Sequence, residues 1–146
     1  MKSLRKITRL QLSVSHEDEF IFFGIVSAEP DYKLSLSINK KFRISLKNVL
    51  PVKITEDNGS ELTFSRFADV TMAPDILFSL TSNRSGKAFL LKKLKNVDYI
   101  FKVQNPENEN NVESITSGLR EIESVSAVFN VDTNNLKDKN LKYLIQ

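Results

Sequence analysis

Two apolar strands on either side of an amphipathic helix constrain the fold of this chain more than any other feature. The one-faced strand patterns consist of Val97, Tyr99, Phe101 and Val103, and of Val125, Ala127, Phe129 and Val131. The apolar stripe between them consists of Val112, Ile115, Leu119 and Ile122. It predicts a helix from Asn110 to Ile122, with Asn110 and Glu113 as a capping box after a break at Asn105-Pro106. Strand, helix and strand at this spacing favour a right-handed parallel crossover in one sheet.

The middle of the chain predicts a three-stranded meander. Asp57-Asn58-Gly59 is typical of a tight hairpin turn, and apolar residues alternate on both sides of it. Pro51 cannot donate to a ladder, so we expect it at a sheet edge or at a strand start. After Phe64 the apolar position shifts to Phe67, which predicts a bulge near Ser65 and Arg66. Pro74-Asp75 then turns the chain into a third strand through Ile76, Phe78 and Leu80.

The N-terminal third is harder to interpret. Residues 7–14 alternate and predict a strand, and Ser15 with Asp18 predicts the cap of a short helix through Phe20, Phe23 and Val26. Next, Pro30-Asp31 favours a helix start, whereas the alternation of Tyr32, Leu34, Leu36 and Ile38 favours a strand. We predict a helix, because Leu34, Ile38 and Phe42 also recur every four residues.

Together these elements predict a single α+β domain over residues 1–146. We expect a mixed, mostly antiparallel sheet of about six strands, covered mostly on one face by helices and ending in the strand-helix-strand unit. The tail from Thr133 to Gln146 is predicted to dock as helix or coil through its apolar residues, which are Leu136, Leu141, Leu144 and Ile145.

Composition argues against a disordered, collagen-like or coiled-coil protein. Hydrophobic residues make up 40% and charged residues 27%, ordinary values for a globular domain. The chain has no cysteine, which excludes disulfides, thiolate nucleophiles and thiolate metal sites and fits a reducing compartment. Neither a signal-peptide apolar run nor a membrane-length apolar stretch is present, so we expect a cytoplasmic location and no membrane. The net charge of +3 divides into a basic middle and an acidic C-terminal third, which we interpret as solvated surface.

The sequence favours no catalytic residue, metal site or cofactor. The only histidine, His16, stands beside Glu17-Asp18-Glu19 at a predicted helix start, where a capping or surface role explains it. No Gly-x-Ser-x-Gly elbow occurs, and Asp57-Asn58-Gly59 lacks the further ligand spacing of a calcium loop. We therefore regard an enzyme as the last of the candidate functions.

The loop from Ser82 to Lys87 is the strongest candidate for a ligand-binding site. Backbone amides at the start of a predicted short helix, Ala88 to Lys95, would hold a phosphate or carboxylate together with Arg84 and Lys87. The tentative ligand-binding residues are Asn83, Arg84, Ser85, Lys87, Asp98 and Tyr99. A P-loop is excluded, because its first glycine is absent and Ala88 follows Lys87. A polar connecting loop is the alternative, and a structural ion pair of Asp98 with Arg84 or Lys87 ranks above a ligand role.

Several segments resemble the IPExxxVDY family of small bacterial proteins. They are Asp31-Tyr32-Lys33-Leu34, Ile38-Asn39-Lys40, Ser82-Asn83-Arg84-Ser85, Val97-Asp98-Tyr99, and the closing helix and strand. The resemblance covers most of the chain and implies a helix that contains its first two segments. One departure is plain: Leu91-Lys92-Lys93 stands where the family name has Ile-Pro-Glu. The family has no settled biochemical role, so the resemblance implies a fold and no function.

Three functional hypotheses remain. A non-catalytic protein-interaction module with an unknown partner is the first, and an anion or small-ligand binding domain using residues 82–87 is the second. A nucleic-acid binder is the third, since Tyr99 and Phe101 near Lys95 and Lys102 are similar to a stacking sheet. No RNP signature accompanies those rings, and they have a core to fill. An apolar patch on the uncovered sheet face would favour the first hypothesis, a concave basic pocket at residues 82–87 the second, and a continuous basic stripe with exposed aromatics the third.

Overall fold

A six-stranded antiparallel sheet dominates the computed structural model, which describes residues 19–104, 106 and 111–145. The strands are β1 (Phe20–Ser27), β2 (Leu46–Thr55), β3 (Glu61–Asp69), β4 (Phe78–Ser82), β5 (Arg84–Ser85), β6 (Ala88–Phe89), β7 (Tyr99–Gln104) and β8 (Val125–Val131). The helices are α1 (Asp31–Phe42), α2 (Val112–Arg120), a 3-10 turn (Lys139–Leu141) and α3 (Lys142–Ile145). The sheet order is β2-β3-β4-β7-β1-β8, while β5 and β6 form a separate small hairpin.

The predicted strand-helix-strand unit is confirmed, with one difference in pairing. Strand β1 lies between β7 and β8 and is antiparallel to both, so β7 and β8 run parallel without being neighbours. All neighbouring pairs in the sheet are therefore antiparallel, and the sheet is not mixed. Helix α2 is capped by Asn111, whose side chain accepts a hydrogen bond from the Ser114 amide at 2.8 Å. The predicted cap, Asn110, lies outside the described residues.

The prediction of a helix through Phe20, Phe23 and Val26 is wrong, because this segment is the strand β1. A strand between two neighbours buries both faces: Phe22 packs on one side of the sheet, and Phe23 and Ile25 on the other. Such a strand has no polar face and cannot be told from a buried helix by its periodicity. The predicted strand over residues 7–14 and the cap at Ser15 lie outside the described residues.

Helix α1 is confirmed where strand and helix patterns competed. Leu34 and Ile38, four positions apart, are fully buried, whereas Leu36 is 63% exposed. Tyr32 and Leu36 lie on the exposed side of the helix, so the alternation that favoured a strand does not mark one buried strand face. The helix ends at Arg43, which adopts the left-handed conformation with φ of 56°.

The meander of β2, β3 and β4 is also confirmed, with its first turn at Gly59 (φ +89°). Pro51 lies in the edge strand β2, at a register shift between Val49 and Val52. The extra residue of this bulge is thus in β2, opposite Ser65, and not in β3. The shift to Phe67 has another cause, since Phe64 and Phe67 face opposite sides of a sheet that is buried on both.

Two apolar clusters cover the two faces. On the first face, α1 and α2 pack over β1, β4 and β7 through Leu34, Ile38, Ile115 and Leu119. On the second face, residues 90–97 and the C-terminal tail contribute Leu90, Leu91, Val97 and Leu144. The tail docks as predicted through Leu136, Leu141 and Leu144, while Ile145 stays 45% exposed. The second layer covers only part of its face, and the rest is an open groove. No helix of the described residues has the length and apolar character needed to cross a membrane.

Candidate functional site

Val97-Asp98-Tyr99 joins β7 to the end of β1 and the start of α1. The Asp98 amide donates to the Ile25 carbonyl at 2.9 Å, and its Oδ2 accepts from the Ser27 amide at 2.9 Å. The Tyr99 hydroxyl donates to the Glu29 carbonyl at 2.6 Å. Burial, with help from the nearby Asp31, Asp98 and Glu29 carboxylates, raises the pKa of Tyr99 to about 12. The hydroxyl therefore stays protonated as a donor, and the segment has a structural role.

Arg84 forms an ion pair with Asp98, and this confirms the structural pairing that ranked above a ligand role. The Arg84 guanidinium also lies 4.7 Å from the centre of the Phe89 ring. Its side chain is 48% exposed, so the pair is a surface interaction. Arg84, one of the two cations predicted to attract an anion, is thus engaged with Asp98.

Asn83 holds the loop from inside the protein and has no exposed surface. Its Oδ1 accepts from the Leu91 amide at 2.8 Å, and its Nδ2 donates to the carbonyls of Leu94 and Val97, each at 2.9 Å. Its own backbone groups bond to Asp98 and Leu90. The predicted helix over residues 88–95 is wrong, because β6 and turns occupy this segment.

The predicted anion site at residues 82–87 therefore lacks support from the geometry. The predicted helix start at Ala88 does not form, Asn83 is fully buried, Ser85 lies half-buried in β5, and Lys87 is exposed. A shallow cavity of about 360 Å³ lies between Asp98, Tyr99 and Glu29, but its polar groups serve the contacts above. Ligand binding by these residues stays a prediction, and the chemistry points to another part of the fold.

The open groove on the second face is the better candidate, with a volume of about 370 Å³. Its floor carries polar side chains from three strands, which are Arg66 on β3, Ser79 and Thr81 on β4, and Lys102 and Gln104 on β7. Its apolar walls include Val49, Val70, Ile76, Leu144 and Ile145. One acid, Asp75, also lines it. The groove has the size and the mixed lining of a small-ligand site.

Strand register brings the polar floor together. Arg66 is the direct cross-strand partner of Thr81, and Ser79 is the direct partner of Lys102. Directly opposed residues have Cβ atoms about 4.5 to 5.5 Å apart. Since Ser79 and Thr81 are two positions apart on one strand, the four side chains form one patch with a cation at each end.

Arg66 is the residue of this patch that has an unsatisfied hydrogen-bond donor. Its Nε is buried and has no hydrogen-bond partner in the described part of the chain. A buried donor without a partner costs about 1 to 3 kcal/mol, and more when it is charged. Lys102, by contrast, donates from Nζ to the Leu144 carbonyl at 3.0 Å and lies 5.2 Å from the Phe20 ring centre.

None of the predictions from the sequence includes this patch, although two cations within apolar strand patterns indicate it. Arg66 continues the positions of Leu62 and Phe64 on one strand face, and Lys102 interrupts an apolar run from Tyr99 to Val103. A cation within an apolar strand pattern indicates a polar site on a covered face. A bulge near Arg66 and ordinary surface charge at Lys102 account for the same two residues equally well when the sequence is considered alone.

The two edges of the sheet differ in how they resist pairing with another strand. Edge strand β2 carries Lys47, Lys53, Pro51 and a bulge, all of which hinder edge-to-edge association. Edge strand β8 reads VSAVFNV and has neither a charge nor a proline. Within the described residues nothing pairs with the outer side of β8.

The rings proposed for nucleic-acid stacking are in the core. Tyr99 is 7% exposed and Phe101 is 1% exposed, so neither presents a face to a base. In residues 19–104, 106 and 111–145, no three His, Asp or Glu side chains are grouped to hold a metal ion. No protein-family model matches this chain, and no curated protein is significantly similar to it. The resemblance to the IPExxxVDY family stays a prediction.

Proposed function

We propose that this protein is a non-catalytic interaction module, and that the outer edge of β8 receives an extended segment of a partner protein. The observation that carries the proposal is that the edge strand β8 has neither a charge nor a proline. An edge strand offers a row of backbone donors and acceptors, and proteins normally protect such rows with charge, proline or bulges. Here β2 has all three protections, whereas β8 has a bulge at Ser126 but neither a charge nor a proline.

A depression beside β8 supplies a second reason. It has a volume of about 300 Å³ and is lined by Phe129 and Val131 of β8 together with Leu94 and Leu136. Strand addition draws affinity from main-chain hydrogen bonds and specificity from pockets for alternate side chains. We expect one apolar side chain of the partner strand to fill this depression.

The acidic residues at the two ends of β8 disfavour a second copy of this chain as the partner. Glu123 precedes β8 and Asp132 follows it, so antiparallel pairing of two β8 strands would bring these acids close to each other. Like charges at such distances disfavour association. A segment with apolar residues in alternation and cations at its ends would be complementary.

Hydrogen exchange of the free protein is the first test. Outward amides of β8 should exchange much faster than the β7 amides, because no strand among the described residues pairs with them. Slow exchange along both sides of β8 in the isolated chain would mean that the edge is already occupied and would refute the proposal.

A matched pair of variants then tests the partner. Asn130 and Asn48 are both exposed asparagines, one on each edge strand. A photo-crosslinking residue at position 130, but not at position 48, should capture a partner in native cells. With that partner purified, Asn130→Lys should weaken binding at least about tenfold through an edge charge, whereas Asn48→Lys should not. Equal effects of the two variants, or a partner that leaves β8 exchange unchanged, would contradict strand addition.

We also propose that this interaction occurs in the cytoplasm of a bacterium. The absence of cysteine supports a reducing compartment, and the resemblance to the IPExxxVDY family supports the bacterial source. Cell fractionation with an antibody to the native protein would test the location, and recovery in a membrane or exported fraction would contradict it.

A further inference from the structure

We propose that the groove on the second sheet face binds a small organic acid, with Arg66 holding its carboxylate. This site lies over β3, β4 and β7 and is independent of the interaction proposed for β8. Nothing in the sequence resemblance points to it. The inference comes from a buried donor, a strand register and the lining of one cavity.

The buried Nε of Arg66 supplies the first step. The guanidinium offers N–H groups in a planar fork that matches the two oxygens of a carboxylate. Asp75 also lines the groove but forms no ion pair with Arg66 in the described part of the chain. Nε has almost no accessible surface, so binding requires the Arg66 side chain to turn toward the groove, where an external carboxylate would satisfy Nε and regain the hydrogen bond that the folded chain leaves unmade.

The neighbours of Arg66 extend the oxyanion site. Thr81 stands directly across from it, and Ser79 lies two positions further along β4 on the same face. The partly exposed Ser79 hydroxyl is suited to donate to a carboxylate oxygen, whereas Thr81, which is 1% exposed, offers a ligand almost no surface. Lys102 closes the row beside Ser79 and adds positive potential without making the principal contact, because its ammonium already serves the Leu144 carbonyl.

The walls of the groove define the rest of the ligand. Val49, Val70 and Ile76 on one side and Leu144 and Ile145 on the other give the ligand an apolar surface to cover. A bare inorganic anion would leave these groups exposed, while a short hydrocarbon body would cover them. The chemistry therefore fits a medium-chain carboxylic acid, with its head at Arg66.

Octanoate and octanamide form a matched pair of probes, because they differ in charge and share the hydrocarbon body. In NMR titration of the full chain, octanoate should shift the Arg66 Nε–H signal and the Ile76 methyl signals together and to saturation. Octanamide should bind at least about tenfold more weakly, as expected for loss of one charge-assisted bidentate contact. Equal affinity for the two probes would overturn the role of Arg66.

Variants separate binding from folding. Arg66→Gln should lower octanoate affinity by roughly 10- to 100-fold, whereas Arg120→Gln, on α2 at the opposite face, should leave it unchanged. Without ligand, Arg66→Gln should melt at a temperature no lower than the parent, since it removes a buried unsatisfied donor. Should that variant fail to fold, Arg66→Lys keeps the charge, loses the fork and should still reduce affinity about tenfold. Octanoate binding that persists in both variants, or equally tight Arg66-dependent binding of inorganic phosphate, would refute the assignment.

Discussion

Replacing Asn83 by alanine tests the centre of the loop architecture. The substitution removes one acceptor and two donor contacts, to Leu91, Leu94 and Val97, at a site with no exposed surface. Each buried partner left without a hydrogen bond costs about 1 to 3 kcal/mol, so we expect a total loss of about 3 to 9 kcal/mol. Against a typical stability of about 5 to 15 kcal/mol, this loss approaches unfolding.

Urea denaturation followed by circular dichroism measures this loss, and Asn96→Ala provides the matched control. Asn96 is an exposed asparagine of the same segment, so its replacement should change stability by less than about 0.5 kcal/mol. In hydrogen exchange, Asn83→Ala should release the amides of residues 90–97 before those of β7. The reasoning is refuted if the two variants have the same stability, or if residues 90–97 keep their protection.

Asn83→Asp tests the direction in which the stability of this site depends on pH. An ionised aspartate accepts from the Leu91 amide but cannot donate to the carbonyls of Leu94 and Val97. Burial beside two carbonyl oxygens should raise its pKa in the folded state above the unfolded value. Protonation then favours the fold, so the stability deficit should shrink as the pH falls through that raised pKa. A deficit that grows on acidification, relative to the parent, would contradict this account.

Three further predictions concern the core, a carboxylate and the surface pair. Leu119→Ala should cost about 2 to 5 kcal/mol in urea denaturation, whereas Val112→Ala, at an exposed position of α2, should cost under about 1 kcal/mol. Burial acts to raise the pKa of Asp69, but hydrogen bonds from Thr71 and Ser45 and the charge of Lys47 outweigh it and leave the pKa lowered. Asp69→Asn should therefore cost stability above about pH 4, and the difference from the parent should vanish as the pH falls through the lowered pKa. Arg84→Ala should change stability by less than about 1 kcal/mol, less still in high salt, and a larger loss by calorimetry would show that its pair with Asp98 does more than a surface ion pair.

The sequence by itself determined the elements whose signals lie in consecutive residues. The turn at Asp57-Asn58-Gly59, the helix with buried Leu34 and Ile38, and the closing strand-helix-strand unit all follow from local periodicity and turn chemistry. The structural pairing of Arg84 with Asp98 was also predicted from the sequence, although the two residues meet through the pairing of Ser82 with Tyr99 across β4 and β7. Each of the other features depends on backbone preferences or on a spacing that neighbouring residues set.

Tertiary structure alone decided the identity of β1, the order of the strands and the composition of the groove. Phe22 and Phe23 serve opposite faces only because β1 is inserted between β7 and β8, and no local pattern specifies that insertion. Likewise, Arg66 meets Thr81, and Ser79 meets Lys102, through strand register across distant segments. Register is set by long-range pairing and by which residues the two covering layers bury. The side chains that make a binding surface here are far apart in sequence, so their proximity exists only in the folded chain.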